Sequence, residues 1–232
     1  MSTPSAAPRP YWHVNSGKIP AGVLFGMTTR AMGNMMDPER RKEALDAAGL
    51  GGRPVYLLKQ VHGVAVLTAG DAAPAQDPPE GDGWITKKKG PVLAVFVADC
   101  LPIFLWERSG GAVGVFHAGW RGIAQGMPRE AVAAFARLGV NWGDLHGQVG
   151  PHIGACCYRV GPETAEKFTP SSVERKGGEI HLNLGHEAGA QIRKTGVAVS
   201  VAEQCTACLA EQFFSFRREK TDVRMMAFAA LV

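Results

Sequence analysis

The chain has 232 residues, of which 46% are hydrophobic and 20% charged. These are the proportions of a soluble globular protein, and they exclude a wholly disordered chain. The net charge of +4 is too small to argue for nucleic acid on its own. At this length one large domain is the first expectation, with residues 1–10 disordered and residues 11–232 forming a single catalytic unit. The longest apolar run, Pro91 to Trp106, is broken by Asp99 and too short to span a membrane. The first ten residues, MSTPSAAPRP, lack the apolar core of a signal peptide. A cytoplasmic protein with reduced thiols is expected, so its five cysteines read as ligands, nucleophiles or core residues.

A short strand is predicted over Val23 to Thr29. Asp37-Pro38-Glu39 supplies an N-cap, a proline in the first turn and an early acid, so a helix is predicted from Pro38 to about Ala48, stopping at Gly49. Val55 to Gln60 and Val64 to Thr68 read as strands flanking His62-Gly63, and Ala69 to Gly83 as a loop. Lys87-Lys88-Lys89-Gly90 reads as a solvated turn. It lacks the interleaved aromatics of a nucleic-acid patch. Val92 to Ala98 is a nearly continuous apolar run with β-branched residues, as in a strand buried on both faces. Pro102 to Trp106 and Ala112 to Phe116 read as two strands joined by a hairpin turn at Glu107 to Gly111. One helix is predicted from Trp120 to Leu138, ending at Gly139. Gln148 to Ile153 and Tyr158 to Val160 read as short and turn-rich. A helix follows over Leu182 to Lys194 with Gly196 as its stop, then strands at Val197 to Ala202 and Arg224 to Leu231. Strands and helices mix without regular alternation, so the expected class is α+β (mixed α/β), with layered mixed β-sheets flanked by helices.

Three metal-ligating side chains fall at strand ends or adjoining turns: His62, Cys100 and His117, separated by 38 and 17 residues. Dispersed ligands gathered by a sheet suit a functional site, whereas structural zinc sites draw on pairs a few residues apart. Two imidazoles and a thiolate leave a fourth tetrahedral position open, the pattern of catalytic zinc. The same residues also read as satisfied polar groups at strand ends, or as a Cys100–His117 nucleophile–base pair. Arg121, beside His117 at a helix start, offers a bidentate donor for phosphate or carboxylate, or pairs with a neighbouring acid. Arg30, ending a strand, offers a second clamp. Asp99 can orient an imidazole, act as a base or cap a turn, and so can Asp82, for which turn-capping is the simpler reading. Cys205-Thr206-Ala207-Cys208 is a single C-x-x-C, read as core or incidental, and Cys156-Cys157 as a turn packed on the core.

Four motifs in sequence order, Lys59-Gln60-Val61-His62-Gly63, Ala98-Asp99-Cys100-Leu101-Pro102-Ile103, His117-Ala118-Gly119-Trp120-Arg121-Gly122 and Gly150-Pro151-His152-Ile153-Gly154-Ala155-Cys156-Cys157-Tyr158, resemble the YfiH-type purine nucleoside phosphorylase family. That family is also called laccase-domain or polyphenol-oxidase-like. The resemblance runs from about Val23 to Val232. It implies a zinc site of His62, Cys100 and His117, with Asp99 in the chemistry and Arg30, Gln60 and Arg121 toward substrate and phosphate. It implies phosphorolysis of adenosine, inosine and methylthioadenosine to a base and a pentose 1-phosphate, with adenosine deaminase and phenol oxidase side activities, and a layered fold similar to a bacterial toxin deamidase. The partners implied are a nucleoside and phosphate, with no nucleic acid and no membrane. Departures from the family pattern lie at the pocket rim. Ala31 to Met36 is shorter than usual, Phe216 stands where His or Tyr is usual, and Thr221-Asp222-Val223-Arg224 replaces Thr-Gly-Arg.

The alternatives are a copper polyphenol oxidase and a cysteine hydrolase using Cys100 and His117. Seven histidines, none in a paired His-x-His motif, are few for a multicopper oxidase. The His-x-Glu and Pro-Cys-x-x-Cys signature of cytidine-deaminase-like enzymes is missing.

Overall fold

A computed structural model describes residues 10–13, 19–70 and 74–232. The disorder expected of residues 1–9 therefore falls outside the described residues. The strands are β1 (Tyr11–Trp12), β2 (Val23–Thr28), β3 (Val55–Tyr56), β4 (Val66–Thr68), β5 (Gly83–Thr86), β6 (Val92–Val97), β7 (Leu101–Glu107), β8 (Val113–Ala118), β9 (Leu145–Val149), β10 (Arg159–Val160), β11 (Val173–Lys176), β12 (Glu179–Leu182), β13 (Ala198–Val201) and β14 (Met225–Leu231). The helices are α1 (Pro38–Ala47), α2 (Trp120–Gln125), α3 (Met127–Arg137), α4 (Pro162–Ala165), α5 (Leu184–Arg193) and α6 (Phe216–Glu219). No helix among the described residues is long and apolar enough to cross a membrane.

Two mixed sheets carry the architecture, with strand orders β1-β2-β14-β6-β3 and β13-β9-β7-β8-β5-β4, plus a small sheet β10-β12-β11. The period-2 alternation of strand side chains explains their stacking. On β6, Leu93, Val95 and Val97 meet Phe104, Trp106, Val113 and Val115 of the second sheet. Val92 and Ala94 face the other way, onto Ala44 and Leu45 of α1. On β7, Ile103 and Leu105 turn toward α3 and α5 and pack with Val132, Phe135, Ala188 and Ile192. The result is four layers: α1, five-stranded sheet, six-stranded sheet, α3 with α5. Strands such as β6, β7 and β14 are apolar on both faces because both faces are covered. The mixed α+β class and the layered sheets are as expected.

Several elements differ from their sequence reading. The strand expected over Val55 to Gln60 ends at Tyr56, and Val64 to Thr68 begins only at Val66. The helix expected from Trp120 to Leu138 breaks in two at Gly126, which is left-handed (φ 97°). Pro128 follows in the first turn of α3, where its missing N–H costs no helical hydrogen bond. Gln148 to Ile153 is not simply turn: β9 is a buried strand paired with both β7 and β13. Its polar His146, Gly147 and Gln148 hid it. Gln148 nonetheless sits inside because Nε2 donates to Val149 O (2.8 Å) and Oε1 accepts from Ser200 Oγ (2.5 Å). The β11–β12 hairpin, with left-handed Gly177 and Gly178 between its strands, has no counterpart in the sequence reading.

Two connections pass from sheet to sheet close to one another in the fold. Residues 98–100 carry the chain from β6 in one sheet to β7 in the other, and residues 57–65 carry it from β3 to β4. Both crossovers contain a non-glycine residue at positive φ: Asp99 at 86° and His62 at 58°. Left-handed backbone at such residues costs energy and persists where surrounding contacts enforce it, often at functional sites.

Candidate metal centre and its cavity

His62 and the Asp99-Cys100 turn thus sit on the two crossovers, and His117 at the end of β8, continuing the inter-sheet face of Val113 and Val115 by strand alternation. The ligand atoms of His62, Cys100 and His117 all lie within 4.8 Å of one another. The two imidazoles are 4.9 Å apart at their centroids and nearly perpendicular, at 82°. A Cβ on Gly119 would stand 3.0 Å from both Cys100 Sγ and His62 Cδ2, so a glycine at this α2 N-cap lets the helix start close against the cluster.

Asp82 is the organiser of this cluster. It is fully buried. Its Oδ1 lies 2.8 Å from His117 Nδ1 and accepts from His62 N (3.0 Å). Its Oδ2 accepts from Gly63 N (2.7 Å) and Val61 N (3.3 Å). One carboxylate therefore fixes the His117 ring, leaving Nε2 for a ligand, and folds the 61–63 loop that presents His62. This is the carboxylate–histidine arrangement that orients metal ligands. The simpler sequence reading, a turn cap, captured the backbone half of this role and not the imidazole half. Burial opposes the Asp82 charge, yet His117 and the N–H groups of Gly63 and Val61 hold its carboxyl below the ordinary range.

The same electrostatics ionise Cys100. Burial alone would raise its thiol, but His117 and His62 bring it down to about 6. Burial likewise opposes protonation of His117, but Cys100 and Asp82 push it up to about 9. Without metal, the pair is a thiolate facing an imidazolium at neutral pH. A thiol of pKa about 6 is about nine-tenths ionised at pH 7. In chelator-treated protein, alkylation of Cys100 is expected to be fast at pH 7 and to fall only as pH drops through about 6. Zinc should suppress it. Residue-resolved mass spectrometry after an iodoacetamide pulse checks this, and a midpoint near the ordinary thiol value would contradict the geometry.

The cluster forms one wall of a cavity of about 880 Å³, the size of a small-molecule site. The other expected residues divide. Arg121 lines the cavity, stacked on the Trp120 ring (4.6 Å), with no acid paired to it among the described residues. Gln60 lines it too, but its amide is bound both ways to the backbone of Phe96, Nε2 to O (2.9 Å) and Oε1 from N (2.7 Å). Asp99 lines it, with Oδ1 accepting from Thr206 Oγ1 (2.7 Å) and Oδ2 from Arg217 N (2.7 Å). It touches no imidazole. Arg30 is not among the lining residues: its guanidinium bonds Glu219 and Phe213 O and lies over the Phe214 ring (4.3 Å). The second arginine clamp expected there is thus not brought to the cavity, because an acid from α6 captures it first.

Sequence reasoning missed most of the remaining wall. Arg41, Lys59, Arg217, Lys220 and Arg224 join Arg121, giving six cationic side chains against the single carboxylate of Asp99. Four of the six bond oxygens: Arg41 to Met35 O and Met36 O, Lys59 to Glu80, Arg217 to Arg159 O, and Arg224 to Thr221 O. Arg121 and Lys220 have only aromatic faces as partners among the described residues. Phe96, Trp120, Tyr158 and Phe216 supply flat apolar surface. These residues come from segments far apart in sequence, so no local motif announces them. The four remaining cysteines, expected as unrelated turn and core residues, form a second cluster.

The chain is similar to known proteins over most of its length. The family described as multi-copper polyphenol oxidoreductase laccase matches residues 37–232. The chain is 35% identical over 241 residues to a protein of Shigella flexneri named purine nucleoside phosphorylase YfiH, covering 92% of this chain and 96% of that one. It is 36% identical over 190 residues to purine nucleoside phosphorylase YlmD of Geobacillus stearothermophilus, covering 73% and 69%. The crystal structure of that YlmD superposes with a TM-score of 0.89 at 28% identity over 98% of both chains. The Neisseria meningitidis protein NMB0706 superposes at 0.85 and 27% identity, over 96% of this chain and 99% of that one.

Proposed function

The chain belongs to the multi-copper polyphenol oxidoreductase laccase family, and from that premise and its cavity we propose that it is a zinc-dependent purine nucleoside phosphorylase. The substrates proposed are adenosine, inosine and methylthioadenosine with phosphate, giving a free base and a pentose 1-phosphate. The observation that carries this reading is the cavity wall: two cations without oxygen partners among the described residues, Arg121 and Lys220, beside an N/N/S donor triad and four aromatic rings. That combination suits an anion and a flat heterocycle together.

The donor set fits zinc: two imidazoles and a thiolate that is already ionised, with a carboxylate fixing one ring. Bound there, zinc would supply a Lewis acid for a phosphate or substrate oxygen. Arg121 and Lys220 hold the phosphate in place and offset its charge. Phosphate held next to the anomeric carbon also stabilises the positive charge that develops there as the base departs. Trp120, Tyr158 and Phe216 give the purine a stacking surface and exclude water from its faces. Gln60 positions the His62 loop by pinning it to β6. Asp99, with a hydrogen bond on each oxygen, positions Thr206 and the start of α6 against the cavity, a supporting part rather than the proton-transfer part.

The family description names copper, and a copper oxidase is the competing reading. Among the described residues His62 and His117 are the only histidines in a metal-sized cluster. His152 and His181 belong to no such cluster among the described residues, each bonding a backbone carbonyl through Nδ1, Gly150 O (2.8 Å) and Ala155 O (2.7 Å) respectively.

Inosine with phosphate should yield hypoxanthine and ribose 1-phosphate, with turnover saturating in phosphate. Arg121→Gln is expected to raise the KM for phosphate roughly 10–100-fold, the loss of a charge-assisted hydrogen bond. Base release at an unchanged rate without phosphate would move the assignment to a hydrolase, and conversion of adenosine to inosine alone would move it to a deaminase.

A further inference from the structure

The nucleoside reaction leaves four cysteines unused, and they meet on one flank of the cavity. Cys156 and Cys157 lie in a tight turn closed by Cys157 N and Tyr158 N on Gly154 O (3.0 Å each). Cys205 and Cys208 lie in the loop after β13. Backbone bonds join the two loops: Thr206 N to His152 O (3.0 Å) and His152 N to Gln204 O (3.3 Å). This stitching sets Cys208 Sγ 3.5 Å from Cys156 Sγ and 3.4 Å from Cys157 Sγ, and all four sulfurs within 4.8 Å of one another.

Those separations select among the fates of close thiols. A disulfide would bring one pair to about 2.05 Å and leave the others behind. A tetrahedron of zinc–sulfur bonds of about 2.3 Å has sulfur–sulfur edges of about 3.8 Å. Cys208 sits 3.4 and 3.5 Å from two partners at once, a few tenths of an ångström inside that edge and far beyond a disulfide bond, and no pair of the four exceeds 4.8 Å. The sequence arrangement agrees: two pairs of ligands, each a few residues apart, converge from two loops, as in closed structural zinc sites.

A second observation is independent of the sulfur–sulfur distances. Cys205 Sγ accepts a hydrogen bond from Gly154 N (3.2 Å). A backbone N–H aimed at a buried sulfur suits a thiolate ligand, and a divalent cation would offset the charge of four sulfurs gathered this closely.

We propose that Cys156, Cys157, Cys205 and Cys208 form a tetrathiolate zinc site, separate from the His62–Cys100–His117 centre. With four protein ligands it is closed, so its part is structural. It clamps two loops that serve the cavity: the 154–158 turn ends in Tyr158 on the wall, and the 205–208 loop carries Thr206, whose hydroxyl holds Asp99. Arg218 Nη1 braces the same loop through Thr206 O (2.9 Å) and Ala207 O (2.6 Å). The proposal does not depend on the nucleoside reaction and can stand or fall without it.

The test is metal counting on protein purified under reducing conditions with zinc. Elemental analysis should give two zinc ions per wild-type chain. Cys100→Ala, lacking the first centre, should retain one, and Cys100→Ala/Cys208→Ser should retain none. Cobalt substituted into Cys100→Ala should give intense sulfur-to-metal charge-transfer absorption, a readout that needs no second variant to fold. One zinc per wild-type chain, lost entirely in Cys100→Ala, overturns the proposal. So does an intact mass two or four daltons below the reduced chain, which would make the cluster a disulfide site.

Discussion

Replacing Cys100 by alanine is expected to abolish base release from inosine, by roughly a thousandfold or more, and to remove one zinc per chain. The thiolate is the only anionic donor of the triad, and His62 and His117 alone are a poor zinc site. Lewis-acid assistance contributes several kcal/mol to such reactions, and each ~1.4 kcal/mol is a factor of ten in rate. The variant should also lose one of the two partners that favour protonated His117 in the metal-free state, Asp82 being the other. The fold should tolerate the change, because Cys100 is partly exposed at the cavity wall rather than in a packed core. Chelating the wild-type enzyme should reproduce the defect. An enzyme that keeps full activity after chelation, while losing it in Cys100→Ala, would make Cys100 a nucleophile and end the zinc reading.

Asp82→Asn, a change of one atom, is expected to be nearly as damaging. Each Asp82 oxygen faces two donors: Oδ1 meets His62 N and His117 Nδ1, and Oδ2 meets Gly63 N and Val61 N. An amide has only one oxygen: turned one way its NH2 group confronts the N–H groups of Gly63 and Val61, and turned the other it confronts His62 N–H and drives the His117 proton onto Nε2, the ligand atom. Leaving buried donors unpaired costs about 1–3 kcal/mol each. At this chain length a loss of ~2 kcal/mol lowers Tm by roughly 4–8 °C. Removing a carboxylate that orients a ligand imidazole typically weakens metal binding about 10–100-fold. Calorimetric zinc titration and a melting curve on the same preparation read both effects. Wild-type affinity in Asp82→Asn would show that His117 needs no orienting partner.

The sequence exposed strand interiors far better than strand ends or small elements. β6, β7, β8 and β14 were legible because covered faces demand unbroken apolar runs, and α1 because Asp37 and Pro38 mark its start. β9 was not, since its buried Gln148 is satisfied by Val149 O and by Ser200 of the neighbouring β13, a partner 52 residues away. The cluster of His62, Cys100 and His117 was legible as three isolated residues of metal-ligating type at strand ends and adjoining turns, and the structure brings them together. Its organiser was not assigned, because Asp82 sits on a turn like many aspartates and its bond to His117 spans 35 residues. The cationic cavity wall and the four-cysteine cluster were illegible for the same reason: each is assembled by sheet crossovers and loop pairings that local patterns do not encode. Arg30 shows the converse error, since a strand-end arginine looked available until α6 supplied Glu219.

The placement of β14 sets an order of events during synthesis. It lies inside its sheet, between β2 and β6, pairing Ala229 with Phe25 on one side and Leu93 on the other. More than 120 residues separate β6 from β14 in the chain. At translation rates of about 5–20 residues per second, β6 waits roughly 6–25 s, and β2 longer, with a bare edge for the strand that joins them. Unpaired apolar strand edges are templates for intermolecular pairing. The nascent chain is therefore most exposed to aggregation after its ligand triad has been made and before its central strand arrives, and metal supplied in that interval meets three ligands that no completed sheet yet holds together.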